Sequence, residues 1–140
     1  MTEAQAIETL AARWKASWEA LQPTVPYALG NEAQPTAGVV TFANMMLSGP
    51  IATRQLTQGP IGSRKFERRG AVAVKLFGSV DVGDSTLALL VGDVKTTLES
   101  QPLGNAGDLL YTSSCATTAA KQGSWYTRMV TIPFTFYETR

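Results

Sequence analysis

The sequence predicts an α+β fold, a mostly antiparallel sheet with two amphipathic helices packed on it, as one domain over residues 1–140. Three observations carry that reading. Two stretches repeat apolar residues at spacings of three and four. The remaining apolar runs alternate with period two, and they follow one another across turns instead of alternating with helices. A chain of 140 residues buries roughly 68% of its unfolded surface, enough for a core without a metal or a disulfide framework. Two one-sided helices must bury their stripes, and one face of a single sheet is the simplest place for both.

The first helix starts after Thr2, which with Gln5 makes a capping box, while Glu3 and Glu8 suit the positive end of the helix dipole. Its stripe is Ile7, Leu10, Ala11, Trp14, Trp18 and Leu21, and Pro23 stops it. Trp14 and Trp18 read first as core, and as two indoles one turn apart they are also candidates for a subunit contact. Residues 25–29 form a short apolar burst in which Pro26 is tolerable only on an edge strand. Residues 38–47 are β-branched and aromatic at the start and end in Met45, Met46 and Leu47. Ser48, Gly49 and Pro50 then read as a hairpin turn into a half-exposed strand over 51–56.

Residues 69–77 give the clearest strand, with Val72, Val74 and Leu76 on one side and Arg69, Ala71, Ala73 and Lys75 on the other. A turn rich in Gly, Asp and Ser precedes a second helix whose stripe is Leu87, Leu90, Val91, Val94 and Leu98. Asp84 or Ser85 caps it, and Pro102 with Gly104 marks its stop. A closing hairpin pairs residues 108–119 with 125–137 across Gln122 and Gly123. In its last strand Tyr126, Arg128, Val130, Ile132, Phe134 and Phe136 share the core side. Pro133 demands a local edge or a bulge.

Histidine is absent, which removes Ser-His-Asp and Cys-His nucleophiles, His-ligated zinc and histidine pH switches. The single Cys115 sits in a strand-like run and reads as a buried thiol, with no disulfide partner and no multi-cysteine metal site. Asp81 and Asp84 are the one close acidic pair, and turn and capping chemistry accounts for them. No catalytic residue, cofactor or metal site is therefore expected. The 12 Lys plus Arg against 11 Asp plus Glu leave +1, without the field of a non-specific nucleic-acid binder. Neither a basic-then-apolar start nor a spanning run of about 20 apolar residues occurs, so the expectation is cytosolic synthesis with no membrane.

The remaining local feature is the glycine-rich stretch Gln58, Gly59, Pro60, Ile61, Gly62, Ser63, Arg64, Lys65, continuing to Arg68 and Arg69. A phosphate loop needs its glycines to open a helix and its Lys to precede Ser or Thr; a strand follows here instead. A solvated hairpin loop, a charged contact with another protein and an anion site are its three readings.

Set in order, these features form a pattern: the helix ending at Leu21, Gln22 and Pro23, the strand and turn over 39–50, and Arg68-Arg69-Gly70 entering a strand. The helix over 85–99, the run Gly123-Ser124-Trp125-Tyr126 and the strand over 130–136 complete it. Across nearly the whole chain this resembles the tail terminator proteins of long-tailed bacteriophages, the lambda U-like tail-completion family. The resemblance implies a non-enzymatic structural virion protein at the head-proximal end of the tail, made in the bacterial cytoplasm. It would form a ring, commonly a hexamer, that caps the finished tube, stops its growth and offers a docking surface to head-tail connector proteins. DNA would pass through the lumen without sequence-specific binding. A domain of this size has a radius of gyration near 14 Å, so only several copies together enclose such a channel.

On that reading Arg64, Lys65, Arg68 and Arg69 are the expected tube or lumen contacts, since a charged loop docks on an acidic ring surface. Trp14, Trp18, Met45, Met46, Trp125 and the edge at Pro133 are candidate subunit contacts, and each reads equally as core. Two alternatives stay open: a head-tail neck protein, and a small cytosolic anion- or nucleotide-binding module using the loop from Gly59 to Arg69.

Overall fold

A computed structural model describes residues 1–30, 32, 41–79, 84–104 and 110–140. The fold mixes two helices with an eight-stranded, mostly antiparallel sheet that is its largest component. Helix α1 (Glu3–Leu21) begins with the capping box: the Gln5 amide donates to Thr2 Oγ1 at 3.3 Å and the Thr2 amide to Gln5 Oε1 at 2.7 Å. Its buried face is Ala6, Leu10, Trp14 and Trp18, a strict spacing of four. That stripe is narrower than the sequence suggests, because Ile7 and Leu21 lie 38% and 43% exposed at its margins.

Strand β1 (Tyr27–Leu29) runs as an edge strand parallel to β2 (Thr41–Leu47), the one parallel pair among the described residues. β3 (Ala52–Gln55) and β4 (Lys65–Ser79) follow, and then α2 (Asp84–Leu98), β5 (Pro102–Leu103), β6 (Leu110–Thr112), β7 (Ala116–Gln122) and β8 (Trp125–Thr139). The middle of the sheet is β4 against β8, antiparallel over their full lengths from Lys65↔Thr139 to Ser79↔Trp125. β2 and β3 lie end to end along the other side of β4, with β1 outside β2. β6 and β7 do the same along β8, with β5 outside β6.

Two expected elements change accordingly. Ser48, Gly49 and Pro50 do not turn a hairpin, because β2 and β3 both pair with β4. The stretch 48–51 bulges opposite Gly70 and Ala71, with the Ser48 amide on the Ala71 carbonyl at 2.8 Å and Gly49 at φ +76°. The expected strand over 108–119 breaks at 113–115, opposite Ile132 and Pro133; residues 105–109 lie outside the described residues. Pro133 is thereby explained. Its carbonyl accepts from Ser113 at 2.9 Å, so its missing N–H also points to this side, where the ladder is already interrupted. The edge expected at Pro133 is thus a gap between β6 and β7 beside a central strand.

Both helices contribute to one core with the even-numbered face of the sheet: Val72, Val74 and Leu76 of β4, Val130, Ile132, Phe134 and Phe136 of β8, and Leu87, Leu90, Val94 and Leu98 of α2. Two glycines make room in it. A Cβ on Gly70 would stand 2.6 Å from Phe134 Cζ, and one on Gly78 would stand 3.2 Å from a Leu87 methyl. On the opposite face Phe42 and Phe77 stack at 4.4 Å between centroids, and Trp125 meets Phe42 edge-on at 5.1 Å.

Candidate docking surface

β3, the loop that follows it and the first residues of β4 and the last of β8 form one end of the sheet, where the expected contact residues lie. The loop is held by its own backbone. The Leu56 amide donates to the Lys65 carbonyl at 2.8 Å, the Lys65 amide to Thr57 Oγ1 at 2.8 Å, and Ser63 Oγ to the Pro60 carbonyl at 3.0 Å. Ile61 stands at the tip, 89% exposed, beside Gly62 at φ +97°.

The four cations expected to act together are divided by strand alternation: Arg64 and Arg68 belong to the helix-bearing side, Lys65 and Arg69 to the other. Arg64 Nε donates to the Gly59 carbonyl at 2.7 Å, and its backbone closes the end of the sheet in a reciprocal pair with Arg140 at 2.9 Å. Arg68 faces inward. Its Nε and Nη2 donate to Glu138 Oε2 at 2.9 and 2.6 Å, and its Nη1 donates to Thr53 Oγ1. Arg68 is therefore a structural cation, a correction to its expected role as a contact. Arg69 Nε lies 2.7 Å from Glu67 Oε1, paired by charge but not aligned as a hydrogen bond, with its side chain 63% exposed. Lys65 is exposed and has no side-chain partner among the described residues.

Sequence reasoning did not single out the acids that organise this cluster. Glu138 accepts from Arg68 and, at 2.8 Å, from Arg140. Burial alone raises its carboxyl, but the hydrogen bonds and charges of the two arginines outweigh burial and hold it below the usual carboxylate range. The available signal was the cross-strand diagonal: Arg68 sits opposite Phe136, two residues from Glu138 on the same face. Asp84, expected as a cap, stands in the first turn of α2 and pairs with Arg128 through Nη2 to Oδ2 at 2.6 Å. Asp81 lies outside the described residues.

The candidate subunit contacts separate in the same way. Trp14 and Trp18 are fully buried and stacked at 4.5 Å, and Trp18 Nε1 donates to the Val25 carbonyl at 3.2 Å. They are core, the first of the two readings the sequence offers, because the spacing-of-four stripe turns both indoles inward. Met45 is buried, while Met46 is half-buried and lines an apolar cleft of about 260 Å³ with Ile7, Ala11, Leu29 and Leu47. Trp125 is half-buried in the aromatic stack, and Pro133 is exposed.

Cys115 is half-buried in the break between β6 and β7. Burial, then the hydrogen bond and charge of Glu99, push its thiol up to about 12. Among the described residues no group of three His, Cys, Asp or Glu side chains could hold a metal ion, and no helix is long and apolar enough to cross a membrane. The arrangement offers charged, projecting surface and strand edges, which suit contacts between proteins.

No protein-family model matches the sequence, and no curated protein matches it. Solved structures do share its fold. One chain, whose designation states no function, superposes with a TM-score of 0.68 at 15% identity, covering 97% of this chain and 96% of its own length. A chain from the virion of a native gene transfer agent particle superposes with a TM-score of 0.57 at 14% identity, covering 96% and 94%. Both matches run nearly the full length of this chain, so it shares its fold with each of them.

Proposed function

We propose that this chain is a structural virion protein of a phage-like particle and acts as a tail terminator: a ring, hexameric in the resembled family, that caps the finished tail tube and receives the head connector. The observation that carries the reading is the end-to-end match to a gene transfer agent virion chain. The absence of histidine and the pairing of Asp84 with Arg128 and of Glu138 with Arg68 support a non-enzymatic role. The projecting β3–β4 hairpin supplies the tube contact through Lys65, Arg69 and Arg64, while Arg68 holds the hairpin to β8. The near-neutral chain suits a lumen that passes DNA without gripping it.

The anion-binding alternative loses ground on the loop itself. Its cations do not converge on one point: strand alternation sends Arg64 and Arg68 to one side and Lys65 and Arg69 to the other, and Arg68 is paired with Glu138. The test is deletion of the gene from the phage or prophage that carries it, with tail length and head attachment read by negative-stain electron microscopy. Overlong headless tails beside filled heads support the terminator. Tails of normal length left unjoined move the protein to the neck, and intact infectious particles refute a virion role. Charge reversal of Arg64, Lys65 and Arg69, leaving Arg68 in place, should spare folding and abolish attachment to tubes.

A further inference from the structure

Of the outer edges of the sheet, one is long and, among the described residues, unpaired. β1 is three residues, and the edge-facing groups of Leu29 are taken by Glu32, whose carboxylate accepts from the Leu29 amide and whose amide donates to the Leu29 carbonyl, both at 3.0 Å. β5 is two residues and begins with Pro102, and β3 is four. β7 runs seven residues, Ala-Thr-Thr-Ala-Ala-Lys-Gln, every one exposed, and no described residue pairs with its outer side. It carries one charge, Lys121, which lies over the Tyr126 ring, and no proline. Edges of that length and composition are normally blunted by charge, proline or a bulge, because their open N–H and C=O groups recruit another strand.

The register shows which groups are open. β7 closes onto β8 through a two-residue turn between Gln122 and Trp125, with Gly123 at φ +60°. Ser113, three residues before β7, bonds the Pro133 carbonyl, so odd-numbered residues of β8 direct their backbone groups to this side. Ala116, Thr118, Ala120 and Gln122 therefore bond β8, and Thr117, Ala119 and Lys121 turn N–H and C=O outward.

We propose that the partner for this edge is β7 of a second copy, paired antiparallel about a two-fold axis through Ala119. That register places Ala119 opposite Ala119 of the second copy and Thr117 opposite its Lys121, so all three outward residues are matched and no like charges face each other. The competing head-to-tail partner, β3 of another copy, fits less well. β3 lies beside residues 66–69 of β4, whereas β7 lies level with residues 73–79, on the other margin. Joining them would step each copy along the strands by roughly 28 Å at about 3.3 Å per residue, and it would leave much of β7 unpaired. A single added strand pair is a small, transient-class interface, so the dimer exchanges. It masks the edge of the free protein and does not rest on the tail-terminator reading.

The test is cross-linking of the full chain in a Cys115→Ser background. In the two-fold register the Ala119 Cα atoms stand about 5.5 Å apart, within disulfide range. Ala119→Cys should form a covalent dimer roughly tenfold or more faster than the exposed control Ile61→Cys. Thr117→Cys should stay monomeric alone and cross-link when mixed with Lys121→Cys. Ala119→Pro removes only an outward N–H, so it should leave the melting temperature nearly unchanged and shift sedimentation to monomer. Cross-linking of Ala119→Cys no faster than the control, or faster pairing of Ala119→Cys with Thr53→Cys, would overturn the proposal.

Discussion

Glu138→Gln keeps the shape of the side chain and removes the charge that anchors the end of the sheet. Arg140 is 68% exposed in its pair with Glu138, so that contact contributes at most about 1 kcal/mol. Arg68 and Glu138 are 19% and 7% exposed, and their short charge-assisted bonds are worth about 1.5–3 kcal/mol. Loss of both gives an expected destabilisation of about 2–4 kcal/mol, or roughly 10 °C in melting temperature for a chain of this size.

The sign with pH is fixed by the direction of the shift. The Glu138 carboxyl is held below its unfolded value, near 4.3, so its contribution is complete above that pH and is lost as pH falls through the lower folded value. Urea unfolding of both proteins should show a gap that is constant from about pH 7 to pH 5 and closes in more acid solution as the wild-type carboxylate protonates. Equal stability at neutral pH, or a gap that persists unchanged into strong acid, would refute the assignment of Arg68 as a structural cation.

Gly70→Ala should cost about 1–2 kcal/mol, because overpacking against Phe134 exceeds the entropy gained by removing a glycine; Phe134→Leu in the same chain should recover part of it, read in a double-mutant cycle. Trp14→Ala should cost about 3–5 kcal/mol in chemical denaturation, whereas an interface tryptophan would leave monomer stability nearly unchanged. With its thiol pushed up to about 12, Cys115 should react with iodoacetamide far more slowly than a free thiol at neutral pH. Glu99→Gln, which removes a charge that raises it, should speed the reaction.

Most of the element order was legible because it rests on period and punctuation. The Thr2–Gln5 box, the Pro23 stop, the stripe from Leu87 to Leu98 and the alternation around Val72 and Ile132 are local signals, and each appears where expected. Pairing was less legible. Ser48-Gly49-Pro50 has turn chemistry, yet a bulge uses the same residues, and only the choice of β4 as common partner decides between them. The cation cluster was misjudged for a related reason. Its members are close in sequence, but strand alternation sends neighbours to opposite faces, and the acid that claims Arg68 arrives 70 residues later. Trp14 and Trp18 were ambiguous because an apolar stripe does not state what covers it.

The central pair of the sheet also sets the order in which the chain can become a folded protein. β4 finishes at residue 79, but the strand beside it is residues 125–139, made only after α2 and the β5–β7 stretch, and the Met1 amino group donates to the Tyr137 carbonyl at 3.1 Å. A chain still on the ribosome can form α1, the β2–β4 ribbon and α2, but both helices then lack the Val130 to Phe136 surface that completes their core. Folding of this protein thus has a high contact order and waits on β8, and a chain that lacks this strand has lost the middle of its sheet.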